Sequence, residues 1–279
     1  MKMRNLAYKI SKEEKQAKIK EVCLGLLNAF ICVCNKYNLK WFVDGGTLLG
    51  TMRDGHMIPW DDDVDVIMPR DDYDELCRLS LEDINLFGHR YFFQTSLNDN
   101  CFEVHAKLRD NNTCALTPRE CCGNHNRGMF LDIFPLDYVP KDLKTRKEIA
   151  ACVKTIAKHT HQDEKFERTP LFYMLNKVLK DIGEQNKDSK CVANAAYWRY
   201  DKRIITFPES FYSYSMPMWF EGITVNVPIG ARGILQKWYG ADWRTPKQLP
   251  TDHKAFVDPF NSFKNYNGCT KQNFENLMK

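Results

Sequence analysis

Strands and helices alternate along this chain, which predicts an α/β fold. Three observations carry that expectation. An apolar run, Trp41 to Val43, stops at Gly45-Gly46-Thr47 and leads into a short helical segment. A second run, Val64 to Met68, alternates with a period of two, as a strand does. A third, Phe130 to Leu136, is apolar apart from Asp132. Residues 141 to about 205 then turn helical. Ile149, Val153, Ile156 and Ala157 recur at helical spacing, and so do Phe172, Leu175, Val178, Leu179 and Ile182. The expected architecture is a sheet flanked by helices, with a mostly helical insert. Residues 1–140 form the core, 141–215 the insert, and 216–279 a segment that completes the core.

The elements follow in order. Ser11 with Glu14 three residues on makes a capping box. The helix it starts buries Ile19, Val22, Cys23, Leu26, Phe30, Val33 and Cys34 and shows Lys12, Lys15, Lys18 and Lys20 to solvent. Pro69 ends the alternating strand, and Asp71 or Asp72 caps a helix through about Leu81. Tyr91 to Thr95 reads as a strand. Phe102 to Arg109 reads as another, with Val104, Ala106 and Leu108 on one face and Glu103, His105, Lys107 and Arg109 on the other. Met218 to Val227 reads as a strand or hairpin around Glu221-Gly222. Ala231 to Tyr239 reads as a helix stopped by Gly240.

Composition bounds the function. The 279 residues suffice for one large domain or two small ones, and 43% hydrophobic with 27% charged residues is ordinary for a soluble protein. A net charge of +4 is too weak to imply nucleic acid. It is compatible with phosphate-bearing substrates or an anionic membrane surface. Eleven cysteines at irregular spacing, with no apolar leader before residue 22, fit a cytoplasmic protein with reduced thiols. Val22 to Cys34 is too short and too polar to span a bilayer, so the expectation is no transmembrane segment and only peripheral contact with a membrane's inner face. Cys101, Cys114, Cys121 and Cys122, with His105 and His125, lie near one another in sequence. A structural zinc is one reading of them. The spacing is not that of a C-x-x-C pair, and plain reduced thiols are the simpler reading.

The chemistry concentrates in residues 41–68. Adjacent glycines let a ligand approach the backbone, and a helix starting over them favours an anion such as phosphate. A period of two puts Asp61, Asp63 and Asp65 on one strand face. Stacked carboxylates repel unless a cation lies between them, and oxygen ligands on a strand suit Mg²⁺, with Mn²⁺ as a substitute. Asp132, alone in an apolar run, is costly unless paired or metal-bound.

Gly-Gly-Thr followed by a strand with Asp-x-Asp resembles the signature of the nucleotidyltransferase fold superfamily. The fuller string GGTLLG at 45–50, then Arg53, Gly55 and IPWDDDVDV at 58–66, closely resembles the LicD family of phosphotransferases, related to the fukutin group. Phe130 to Asp137 is similar to that family's third motif, and Lys107-x-Arg109 followed by Thr113 to another. The C-terminal string from Phe220 through Trp243 to His253 is similar as well, although the family usually has an acid where Ala241 stands. The resemblance implies a nucleotidyltransferase-like mixed sheet. It also implies transfer of a phospho-alcohol, phosphocholine first, from a CDP-linked donor to a sugar hydroxyl of a cell-surface glycan such as lipopolysaccharide or teichoic acid, or of its lipid-linked precursor.

Under that resemblance Asp63 and Asp65 bind Mg²⁺. Asp132 supplies a third carboxylate, as metal ligand or as base for the acceptor hydroxyl; both readings are open. Gly45, Gly46 and Thr47 hold the donor phosphate, and Arg53, Lys107 and Arg109 add positive charge. Glu221 is either a further acid near the metal or a buried structural one. A choline cage would draw on Trp41, Trp60, Tyr91, Trp219 and Trp243. Two rivals stand beside this: true nucleotidyl transfer, and a catalytically silent glycan-binding protein.

Overall fold

A computed structural model describes residues 10–100, 103–118, 120–121, 123–160, 169–199, 203–247 and 255–278. Helix α1 (Lys12–Tyr37) opens with the Ser11–Glu14 capping box and buries Leu26, Leu27 and Phe30 fully. Strand β1 (Phe42–Val43) leads into α2 (Gly45–Arg53), and β2 (Val64–Pro69) into α3 (Arg70–Glu82). Strands β3 (Tyr91–Gln94), β4 (Ala106–Asp110) and β5 (Cys114–Leu116) follow, then the long β6 (Phe130–Tyr138).

The main sheet is mixed, as expected, in the order β1-β2-β6-β4-β3. Only β2 and β6 run parallel; the other pairs are antiparallel. Their register decides everything that follows. Val64, Leu131 and Leu108 form one row across three strands, and Val66, Ile133 and Ala106 another. These six are buried in one cluster with the apolar face of α1. The residues between them point the other way. Asp65 pairs with Asp132, Asp132 with Lys107, and Lys107 with Gln94, so one polar row crosses four strands.

Helices α4 (Leu143–Thr160) and α5 (Thr169–Gln185) supply a second cluster of buried residues, including Val153, Phe172 and Leu175. The strands β7 (Cys191–Ala193) and β8 (Phe207–Pro208) extend the sheet from the far end of β6. A 3-10 turn, Ala195–Arg199, lies between them. The hairpin of β9 (Ser215–Phe220) and β10 (Ile223–Pro228) is followed by α6 (Ala231–Tyr239), which stops at Gly240 with φ +91°. Strand β11 (Phe256–Asp258) pairs with β5, and α7 (Lys271–Leu277) closes the described chain.

Several local expectations need correction. Neither Asp71 nor Asp72 caps α3. Pro69 holds the N-cap position, and the Asp72 carboxylate accepts the backbone N–H of Lys40 instead. The strand expected from Phe102 begins only at Ala106; Phe102 lies outside the described residues. Asp137, just past the apolar run at 130–136, is inside β6. It accepts both Nε and a terminal nitrogen of Arg70, at 2.6 and 2.8 Å. Glu221 is the structural one of its two readings. It sits in the β9–β10 turn at φ +50°, where its carboxylate takes Lys20 at 2.5 Å and the Met57 N–H at 2.9 Å.

Candidate active site

The site forms where β2 and β6 begin. Asp63, Asp65 and Asp132 each offer a carboxylate oxygen, and the three lie within 4.8 Å of one another. Asp65 and Asp132 meet because they are register partners on parallel strands. Asp63 stands two residues before Asp65, but β2 starts at Val64, so Asp61 to Asp63 is irregular chain rather than one strand face. Helix α1 holds that stretch. Gln16 Nε2 donates to the Asp61 carbonyl at 2.9 Å, and Cys23 Sγ donates to that of Asp62 at 3.6 Å. Asp61, Asp62 and Asp63 form a second group of neighbouring carboxylates, with Asp63 common to both.

The glycines make room for acids. A Cβ on Gly45, at φ +52°, would lie 2.4 Å from Asp65 Oδ2, and one on Gly46 would lie 2.4 Å from Asp61 Oδ2. Both glycines still line the pocket, so the space beside them is shared between carboxylates and ligand. Thr47 is 5% exposed and lies off the pocket wall. Its Oγ1 accepts the Asp65 N–H at 2.9 Å and so aims the strand rather than a phosphate.

Burial pushes the Asp63 carboxyl well above its usual range, and Asp61, Asp62 and Asp132 push it further. Burial does the same to Asp65, with Asp63 and Asp132 adding to it. Burial also raises Asp61 to about 7 and Asp44 to about 6. Asp132 goes the other way. Burial would raise it, but Lys107 Nζ at 2.5 Å and His105 Nε2 at 3.0 Å both bond its Oδ1 and hold it well below the usual range. A carboxylate oxygen accepts only, so His105 donates from Nε2. Oδ2 of Asp132 has no donor among the described residues. Two cationic or polar donors on one oxygen favour an ionised ligand over a base.

The basic residues divide. Arg53 lines the pocket, its Nε bonded to Asp54 at 2.7 Å. Lys107 is committed to Asp132 and lies 3.5 Å from the centre of the Phe130 ring. Arg109 shares the Lys107 face but is fully buried one row away, bonded to Gln94 at 2.7 Å, the Gly128 carbonyl at 2.9 Å and Glu120 at 2.8 Å. A side chain held at three points by buried partners does not reach a pyrophosphate in the pocket.

The pocket holds about 480 Å³. Its aromatic wall joins the Trp60 motif to the C-terminal string, with Tyr197 from neither. Trp60 and Trp243 are on it, joined by Tyr197, Trp238 and Tyr239. Trp41 packs edge-on against Phe30 in the core, Tyr91 is not on the wall, and Trp219 stacks edge-on with His56 on the hairpin. Burial, then Asp65 and Asp44, raise the Tyr239 phenol and keep it protonated as a donor. His105 was within reach of the sequence, since alternation already placed it with Lys107. Tyr197 and Trp238 had no such signal. Of the cysteines in the zinc reading, Cys101 and Cys122 lie outside the described residues.

Residues 38–174 match the family described as LicD/FKTN/FKRP, nucleotidyltransferase domain. The chain carries a LicD-family domain. The match contains the glycine turn, the Asp run, Lys107 and Asp132, so the LicD domain and the carboxylate pocket largely coincide. Over 247 residues the chain is 24% identical to the lipopolysaccharide cholinephosphotransferase LicD of Haemophilus influenzae, covering 81% of this chain and 91% of that one. The similarity to that LicD protein thus extends past the family domain into the segment that supplies the aromatic wall.

Proposed function

We propose that this chain is a metal-dependent transferase that moves phosphocholine from CDP-choline to a sugar hydroxyl of a lipopolysaccharide-type glycan. The observation that carries the reading is the convergence of Asp63, Asp65 and Asp132 from two parallel strands beside the start of α2. The name of the Haemophilus relative supports phosphocholine as the group and lipopolysaccharide as the acceptor.

The donor set is oxygen only, carboxylate-rich and at least half-buried, which fits Mg²⁺ or Mn²⁺. When bound by Asp63, Asp65 and Asp132, the ion would neutralise charge on the donor's phosphates as the bond to CMP breaks. The chain's own groups do the rest. Lys107 and His105 hold Asp132 ionised. Gly45 and Gly46 keep the pocket floor free of side chain. Arg53 offers its terminal nitrogens to a donor phosphate, and Tyr239 offers its phenol proton. Tyr197 and Trp238, edge to face at 5.8 Å, present rings to a quaternary ammonium.

The test is to incubate the purified protein with Mg²⁺, a lipopolysaccharide acceptor and a panel of CDP-choline, CDP-ethanolamine, CDP-glycerol and CDP-ribitol, and to measure CMP. CMP release with CDP-choline, matched by labelled acceptor, supports the reading. Release with another CDP-alcohol keeps the mechanism and changes the transferred group. Pyrophosphate release from a nucleoside triphosphate, with no CMP from any CDP-alcohol, would establish nucleotidyl transfer instead.

A further inference from the structure

We propose that the outer face of α4 docks the protein on an anionic lipid surface. The observation is where the charge lies. Residues 141–160 hold six basic side chains against two acidic ones, Asp142 and Glu148, a net of +4. The whole chain has 40 basic and 36 acidic residues; taking away six and two leaves 34 of each sign. All the excess positive charge therefore sits in one helical segment.

It is also on one side of that segment. At about 100° per residue, Lys144, Lys147, Lys154 and Lys158 fall within an arc of roughly 80° that excludes the inward-facing Val153 and Ala157. All four lysines are exposed. From Lys144 to Lys158 the stripe is about 21 Å long at 1.5 Å per residue. Among the described residues none of the four has an ion-pair partner. Helix α3 shows the contrast, for its outer Arg78 is paired with both Glu75 and Glu82. A solvated helix face mixes both signs in that way. The α4 stripe does not, and such a stripe complements a negatively charged surface.

Leu143 adds an apolar contact. It is 47% exposed and lines a shallow depression with Lys144, Lys147, Glu148 and Ala151. Lipid fits these features better than nucleic acid, because no aromatic side chain interleaves the lysines to stack on a base. Helix α4 packs against the Ala195–Arg199 turn, whose Tyr197 lines the carboxylate pocket on its other side.

The test is flotation of the full chain with vesicles of phosphatidylglycerol in phosphatidylcholine, and with phosphatidylcholine alone. Binding is expected only with the anionic vesicles, weakening as salt is raised. A lysine near such a surface is worth about fivefold in affinity. The variant Lys144→Gln/Lys147→Gln/Lys154→Gln/Lys158→Gln should therefore bind about 10²–10³-fold more weakly, with its circular dichroism unchanged. A control carrying Lys12→Gln, Lys15→Gln, Lys36→Gln and Lys264→Gln has the same net charge and should bind like the parent. Absence of parent binding, equal binding to both vesicles, equal loss in the control, or displacement from vesicles by duplex RNA would each overturn the proposal. The vesicles contain neither donor nor glycan, so the result is independent of whether the proposed transfer occurs.

Discussion

The paired strands β2 and β6 are lined with buried carboxylates at both ends, and the two ends treat them differently. At the far end Asp137 is gripped by a two-pronged Arg70, which also donates to Asn176 at 3.1 Å and lies over the Tyr73 ring. At the near end Asp63 and Asp65 have no hydrogen-bond donor to their carboxylates among the described residues, and burial and neighbouring carboxylates raise the pKa of both. Opposite pairing separates the roles. The far end balances its own charge and is structural. The near end carries charge that the chain does not balance, and it costs stability that a purely structural site would not need to give up.

The largest effect is expected at the near end. Asp63→Asn should lower transfer by on the order of 10³-fold, measured as CMP release, because a charge stabilising the transition state is lost with the metal ligand. The same variant should melt no lower than the parent, since it relieves repulsion. A variant that turned over normally would show that the two ends do not differ in kind. At the far end Asp137→Ala should leave the buried Arg70 without its two-pronged partner and cost about 3–5 kcal/mol in urea unfolding. Transfer per folded molecule should be unchanged, and a selective loss of turnover would blur the division.

A smaller effect belongs to His105→Gln. It changes one of the two donors that hold Asp132, and Mn²⁺ affinity by calorimetry should fall about 10–100-fold with the fold intact. Unchanged affinity would mean that Lys107 alone positions the carboxylate. The smallest effect is on pH. Asp44 at about 6 and Asp61 at about 7 are raised above their unfolded values, so between about pH 4 and these values the native chain binds more protons than the unfolded one. Their stability contribution is fully present below the unfolded pKa and is lost as pH rises through the folded pKa. The metal-free protein should therefore melt a few degrees higher near pH 5 than near pH 7.5, and Mg²⁺ at pH 7.5 should narrow that gap. A melting temperature flat across the range would remove the electrostatic contrast between the two ends.

Two acids of the site were legible because each sits in a strand whose own pattern exposes it. Asp65 follows from the period of two in β2, and Asp132 from its place in an apolar run. The capping box at Ser11 and the Gly240 stop were legible for the same local reason. Arg109 was not. Its face was readable, but its partner Glu120 belongs to a loop that folds over it, and nothing in β4 announces that cover. Asp137 lies past the apolar run at 130–136, and its place in the strand was not legible across Pro135. The strand runs through it because β4 pairs no further than Ile133 and β7 begins pairing at Asp137, so the missing N–H falls in the gap. The aromatic wall from Tyr197, Trp238 and Tyr239 depends on where α6 and the Ala195–Arg199 turn dock, which no periodicity records.

Asp65, Asp132 and Lys107 are neighbours only through the alignment of three strands, so catalysis in this protein is tied to counting. Adding or deleting a single residue ahead of Asp132 in β6 would swing its side chain to the apolar face and bring Leu131 or Ile133 into the polar row. A change of length between the strands leaves this alignment intact, whereas one inside β2, β4 or β6 breaks it.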